Sequence, residues 1–381
     1  MAMDSFDSPF VSYLCRVRSN GSVKSAISAQ RLKCGNLFFY YPRLVSPEKV
    51  LVVFDNTLAS LILGNCVLFS RCEEQWYGRH DSADPCERLL GDSLFFANGY
   101  HHSKRVSLLQ SRIGSPAAWT ILEGSLIASL DAAATSVSVS QITRQLITHI
   151  LDAFYAIRFE EREVDLLLQS VALAATAFRN HSSCPFRLRQ RRSSRRTRLI
   201  IDSSRHMLRD QLDHVTSCKT FSLNGSTVSL SNLALVDEVM MVLFGVLTKL
   251  PIFLGKVLEC GRSLQPHIRK CVGRELDNAI ASPSAECLSK ACPETFTLLA
   301  NLLSASLIPF DFLKRANLCD TTLQEKPVPR STEIWIPTWN LDHSMIFGAG
   351  DYECKGRGLS LALTARIFQW DCARHLPSFS S

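Results

Sequence analysis

A chain of 381 residues with 46% hydrophobic content can bury a large core, as one big domain or two ordinary ones. A formal net charge of +7 over that length is no nucleic-acid signature by itself. The fourteen cysteines form no CxxC pair and no regular spacing, which argues against a disulfide scaffold. They read as reduced, mostly buried thiols of an intracellular protein without a secretory signal.

Residues 1–46 read as loosely structured, with an aromatic cluster at Phe38, Phe39, Tyr40 and Tyr41. Asp4, Asp7, Arg16, Arg18, Lys24, Arg31 and Lys33 interrupt any apolar span there, so no membrane anchor is expected. Residues 49–54 (Lys-Val-Leu-Val-Val-Phe) predict a strand that ends at the turn formers Asp55 and Asn56, and a short helix over 57–63 precedes Phe69. In 91–105, Gly99 is followed by His101 and Arg105, a spacing that puts both side chains on one face of a helix.

Residues 117–177 are helix-rich, and 142–159 and 163–178 carry apolar residues at three and four spacing. Seven arginines follow between Arg187 and Arg198, with no aromatic interleaving. They read as a solvated loop or a lipid-headgroup contact, with a basic interaction surface as the alternative.

The most hydrophobic stretch, 239–258, contains Lys249 and Pro251 and reads as part of a long buried core helix over 234–258. It carries Phe244-Gly245-Val246-Leu247-Thr248. Residues 265–280 predict the next helix, with Glu275 near its middle. Pro293-Glu294-Thr295-Phe296-Thr297 opens another, and Arg315 lies downstream. Alternation through Glu333, Ile334, Trp335 and Ile336 predicts a strand.

Near the end stands Phe347-Gly348-Ala349-Gly350-Asp351-Tyr352-Glu353-Cys354-Lys355-Gly356. Gly350 and Gly356 allow backbone angles that other residues resist. A helix beginning near Gly358 places the Cys354 sulfur just before a helix N-terminus, where unpaired amides favour a thiolate.

Phe347, Gly350, Cys354 and Gly356 resemble the haem-binding loop of the cytochromes P-450, a glycine-rich turn with a buried structural cysteine being the alternative. The strand at 49–54, the His101/Arg105 helix, Gly245 with Thr248, the Glu294 helix and its following strands occur in that family's order. Together these blocks cover most of 45–370. The resemblance implies a mainly α fold with a small β region, organised as an N-terminal segment (1–45) and a P-450-like haem domain (46–381). It also implies haem held through an axial Cys354 thiolate, with His101, Arg105 and Arg315 toward the propionates.

Gly245 would let the central helix pass close over the porphyrin, and Thr248 would assist oxygen activation. Dioxygen, a small-molecule substrate and a separate NADPH-dependent reductase follow as partners, since this chain has no flavin or nicotinamide fingerprint. A cytoplasmic or peripheral endoplasmic-reticulum location follows as well, with no nucleic acid expected.

Several departures from the family pattern are visible. Leu247 takes the place of an acid, Thr297 that of an arginine paired with Glu294, and Ser331 that of a glycine. The long meander before the cysteine loop and the C-terminal sheet are missing. The resemblance implies a monooxygenase of the fungal secondary-metabolism type. Its alternative is a degenerate relative, inactive or catalysing a redox-neutral rearrangement.

Overall fold

The computed structural model describes residues 9–19, 22–42, 49–65, 67–70, 82–94, 97, 99–132, 138–181, 194–215, 220–223, 226–306, 312–342, 345, 347–350 and 353–374. Contrary to the loose order expected of residues 1–46, α1 (Pro9–Arg18), α2 (Val23–Cys34) and β1 (Leu37–Tyr40) are regular. Local signals for α2 are modest: Ser22 caps it and Gly35, at φ +80°, ends it. Burial supplies the rest, because Ile27, Phe38 and Tyr40 pack around Trp335, which lies far away in the sequence. The expected domain boundary at 46 falls within 43–48, outside the described residues.

β1 pairs antiparallel with β2 (Val50–Val53), which is followed by α3 (Asn56–Gly64) and β3 (Phe69–Ser70). Asp55 ends the strand and caps α3 by accepting from the Leu58 amide at 2.7 Å. With β6 (Phe312–Asn317) and β9 (Glu333–Pro337) these strands make a five-stranded sheet in the order β1-β2-β9-β6-β3. The β2–β9 pair is parallel and the other pairs are antiparallel. Residue parity divides the two faces. Leu51, Val53, Ile334 and Ile336 face α3, while Val50, Val52 and Trp335 face the α2 side.

The helical part begins with α4 (Pro85–Leu90), α5 (Gly99–Ile113), α6 (Pro116–Ala132), α7 (Val139–Tyr155), α8 (Glu161–His181) and α9 (Arg195–Asp213). Ser138 and Gln141 form a capping box that sets the start of α7. The arginine run straddles the limit of description: Arg195, Arg196 and Arg198 open α9, and 187–192 lie outside.

After a hairpin of β4 (Thr220–Leu223) and β5 (Ser226–Ser229) comes α10 (Asn232–Ser263), which packs against α4, α7, α8 and α9. α10 is uninterrupted at Pro251, although this residue cannot donate to the Leu247 carbonyl. By length and apolarity α10 could cross a membrane, and no other described helix could.

α11 (Pro266–Arg274), α12 (Ala285–Ala291), α13 (Pro293–Ser306), a small hairpin of β7 (Thr321–Leu323) and β8 (Lys326–Val328), and α14 (Arg357–Arg374) complete the order. The helix expected over 265–280 stops at Arg274 and tightens into a 3-10 turn at Glu275–Asp277. The Glu275 carboxylate accepts from the Glu294 and Thr295 amides at 3.0 and 2.9 Å, capping α13. α14 lies between α10 and α11 with very close approaches. Cβ atoms added at Gly261 and Gly273 would come within 2.7 Å of the Phe368 ring and 3.0 Å of the Ala373 backbone.

Candidate haem-thiolate site

The cysteine loop is closed by its own backbone. The Cys354 amide donates to the Phe347 carbonyl at 2.7 Å, and the Glu353 amide to Gly350 at 3.1 Å. Gly348 and Gly350 have φ of +83° and +61°, so glycine is needed there. Gly356, expected to share that role, does not have a positive φ. A Cβ there would sit 3.9 Å from the Cys354 sulfur, an ordinary contact.

Gly358, read from the sequence only as a helix start, is tightly confined, since a Cβ there would meet the Pro283 carbonyl oxygen at 2.3 Å. Cys354 is exposed, in no disulfide, and just ahead of α14. The Arg357 guanidinium lies 5.3 Å from the Phe347 ring centre and donates to Glu353 at 3.0 Å. Its buried Nε has no partner among the described residues. Asp351 and Tyr352 of the loop lie outside the described residues.

On α10, Gly245 is exposed although Phe244 and Val246 on either side are buried. A Cβ at Gly245 would meet nothing within 4 Å. Met241, Thr248 and Ile252 follow the same helical spacing and are also accessible in part, so this face of α10 is open. The Thr248 hydroxyl donates back to the Phe244 carbonyl at 2.6 Å, a local bond it must leave to donate elsewhere.

His101 lies on α5, with its side chain outside the described residues. Arg105, one turn further along, turns toward α10 and lines a small cleft with Leu109, Glu238 and Met241. Burial pushes the Glu238 carboxyl above the ordinary glutamate range, against the pull of Arg112, Tyr155 and Arg105. Arg315 is buried in β6 and donates to the Lys314 carbonyl at 2.9 Å.

The Glu294–Thr297 position turns out differently from the buried lock that the resemblance implies. Both side chains are exposed, and Thr297 bonds its own helix at Pro293. No uncompensated charge is buried there, so the penalty attached to a broken buried pair does not arise. The buried polar groups here are instead Glu275 and Arg366. Arg366 falls on the apolar stripe of α14 that includes Leu359, Ala362, Leu363 and Trp370. A lone arginine on such a stripe was the signal available in the sequence.

Haem requires one strong protein donor beside a flat apolar space. Among the described residues no three His, Cys, Asp or Glu side chains gather as a metal site, and Cys354 is a free, exposed thiol. Cys354 is exposed just ahead of α14 and the α10 face is open at Gly245, the donor and the clearance that the group would use.

The fold is that of the cytochromes P450. A variant of cytochrome P450 OleT in complex with arachidonic acid superposes with a TM-score of 0.66 at 12% identity, covering 91% of this chain and 86% of that one. A zebra fish cytochrome P450 with progesterone gives a TM-score of 0.67 at 15% identity, covering 91% and 92%. No protein-family profile matches the chain. No curated protein matches it either.

Proposed function

We propose that this chain is a haem-thiolate monooxygenase acting on a small organic substrate, in the manner of fungal enzymes that tailor secondary metabolites. The observation that carries the reading is the closed Phe347–Cys354 loop, which presents an accessible sulfur at the start of α14. Haem bound through Cys354 supplies the oxygen-activating chemistry. Helix amides at the start of α14 stabilise the thiolate form. Arg105, with His101 and Arg315, holds the carboxylates of the bound group.

Gly245 leaves room for a flat ligand and for dioxygen beside α10. Thr248 delivers a proton on that side by rotating its hydroxyl away from Phe244. Met241 and Ile252 flank that opening as its apolar border. Electrons come from a separate NADPH-dependent reductase, and the protein works in the cytoplasm or at the surface of the endoplasmic reticulum.

The second reading, an inactive or redox-neutral relative, is favoured by Leu247 at the usual acid position and by the local bond that holds Thr248. The reduced carbon monoxide spectrum separates the two. A strongly red-shifted Soret band, abolished in Cys354→Ser, supports thiolate ligation; absence of haem uptake by the wild type refutes the enzyme reading. Oxidation of a substrate panel with a reductase then distinguishes the monooxygenase from a redox-neutral relative.

A further inference from the structure

Arg366 is 3% exposed and lies on the helix that the cysteine loop feeds. Its guanidinium forms an ion pair with Glu123 on α6. It also donates to the backbone carbonyls of Glu275, Leu276 and Asn278 at 3.4, 3.2 and 2.6 Å, and to the Gln369 side chain at 3.0 Å.

Gln369 in turn donates to the Thr295 hydroxyl at 3.0 Å, and that hydroxyl donates to the Glu275 carboxylate at 2.6 Å. One connected network thus ties α14 to α6, to the turn after α11 and to the first turn of α13. A guanidinium offers five donors in a fixed planar fork, where a lysine ammonium offers three on one atom.

We propose that Arg366 and Glu275 together lock the cysteine helix to the helical core, in place of the buried pair that Glu294 and Thr297 do not form. Arg366 is a positioning residue: it acts on Cys354 by fixing where α14 begins. Trp370, donating to Asp131 on α6 at 2.8 Å, holds the same helix further along. The importance of this position for Cys354 as a ligand rests on the proposed function; the lock itself does not.

The test compares Arg366→Lys, Arg366→Met and Glu123→Gln with the wild-type full chain by hydrogen exchange, read peptide by peptide. Glu123→Gln keeps a hydrogen-bond acceptor and the fold, should the arginine variants fail to fold. The expected result is exchange about tenfold faster over 353–363, with α7 and α8 unchanged. Unchanged exchange over 353–363, or equal acceleration everywhere, overturns the lock.

On haem-loaded protein, the same variants should lose part of the red-shifted carbon monoxide band at unchanged haem content, with Arg366→Lys losing less than Arg366→Met. An intact band in variants whose loop exchanges faster overturns the positioning role. If the wild type binds no haem, the proposed function falls, while the exchange measurement still decides on the lock.

Discussion

Gly350 rests directly on Gly64: a Cβ added at Gly350 would come within 3.0 Å of the Gly64 Cα and 3.1 Å of its carbonyl oxygen. The cysteine loop is therefore seated on the end of α3, and the contact is one-sided, since a Cβ at Gly64 meets nothing within 4 Å. Gly350→Ala should cost about 1–2 kcal/mol for the left-handed backbone alone, with the collision added. Gly64→Ala should be neutral within about 1 kcal/mol. Urea denaturation of the two variants checks the asymmetry, and equal losses would contradict it.

Ser331 stands where the family pattern has glycine, and its φ is +66°. Its amide donates to the Asn317 carbonyl at 2.7 Å, so the backbone is held in that region. The left-handed conformation costs a non-glycine residue roughly 1–2 kcal/mol. Glycine adds about 0.4–1 kcal/mol of unfolded-state entropy. Ser331→Gly should therefore stabilise the fold by up to about 1 kcal/mol, and Ser331→Val should destabilise it. Denaturation midpoints of the pair measure both signs.

Glu238 gives a pH dependence of stability. Burial holds its carboxyl above the usual value, despite Arg112 at 3.4 Å and the Tyr155 hydroxyl at 3.3 Å. The folded chain keeps this proton at pH values where the unfolded chain has released it. Its contribution is thus complete below the unfolded pKa and is lost as pH rises through the folded one. Glu238→Gln should make the decline of stability above about pH 4.5 shallower. Chemical denaturation at a series of pH values compares the slopes.

Thr248→Val removes a hydroxyl that donates to the Phe244 carbonyl within its own helix. Stability should change by no more than about 1 kcal/mol, because that bond adds little to the helix. Turnover should fall on the order of a hundredfold at unchanged haem content, with Thr248→Ser close to wild type. A fall in haem content matching the fall in rate would place Thr248 in the architecture of the site instead of in proton delivery.

Helix spacing along α7, α8 and α10, and the 50–53 strand with its end at Asp55, were legible in the sequence, because periodic apolar residues and turn formers act over a few residues. Cys354, Gly245 and Thr248 are picked out by motif spacing alone, and their roles are proposals. The order of residues 9–42 came only with Trp335 packed against Phe38 and Tyr40, a contact no local signal announces.

The burial of Arg366 and Glu275, the exposure of Glu294, and the need for glycine at 348 and 358 also waited for the tertiary structure. Each depends on which distant backbone lies alongside. A linear pattern records what a side chain is, while the desolvation and close approach that decide its role are set by neighbours far away in the chain.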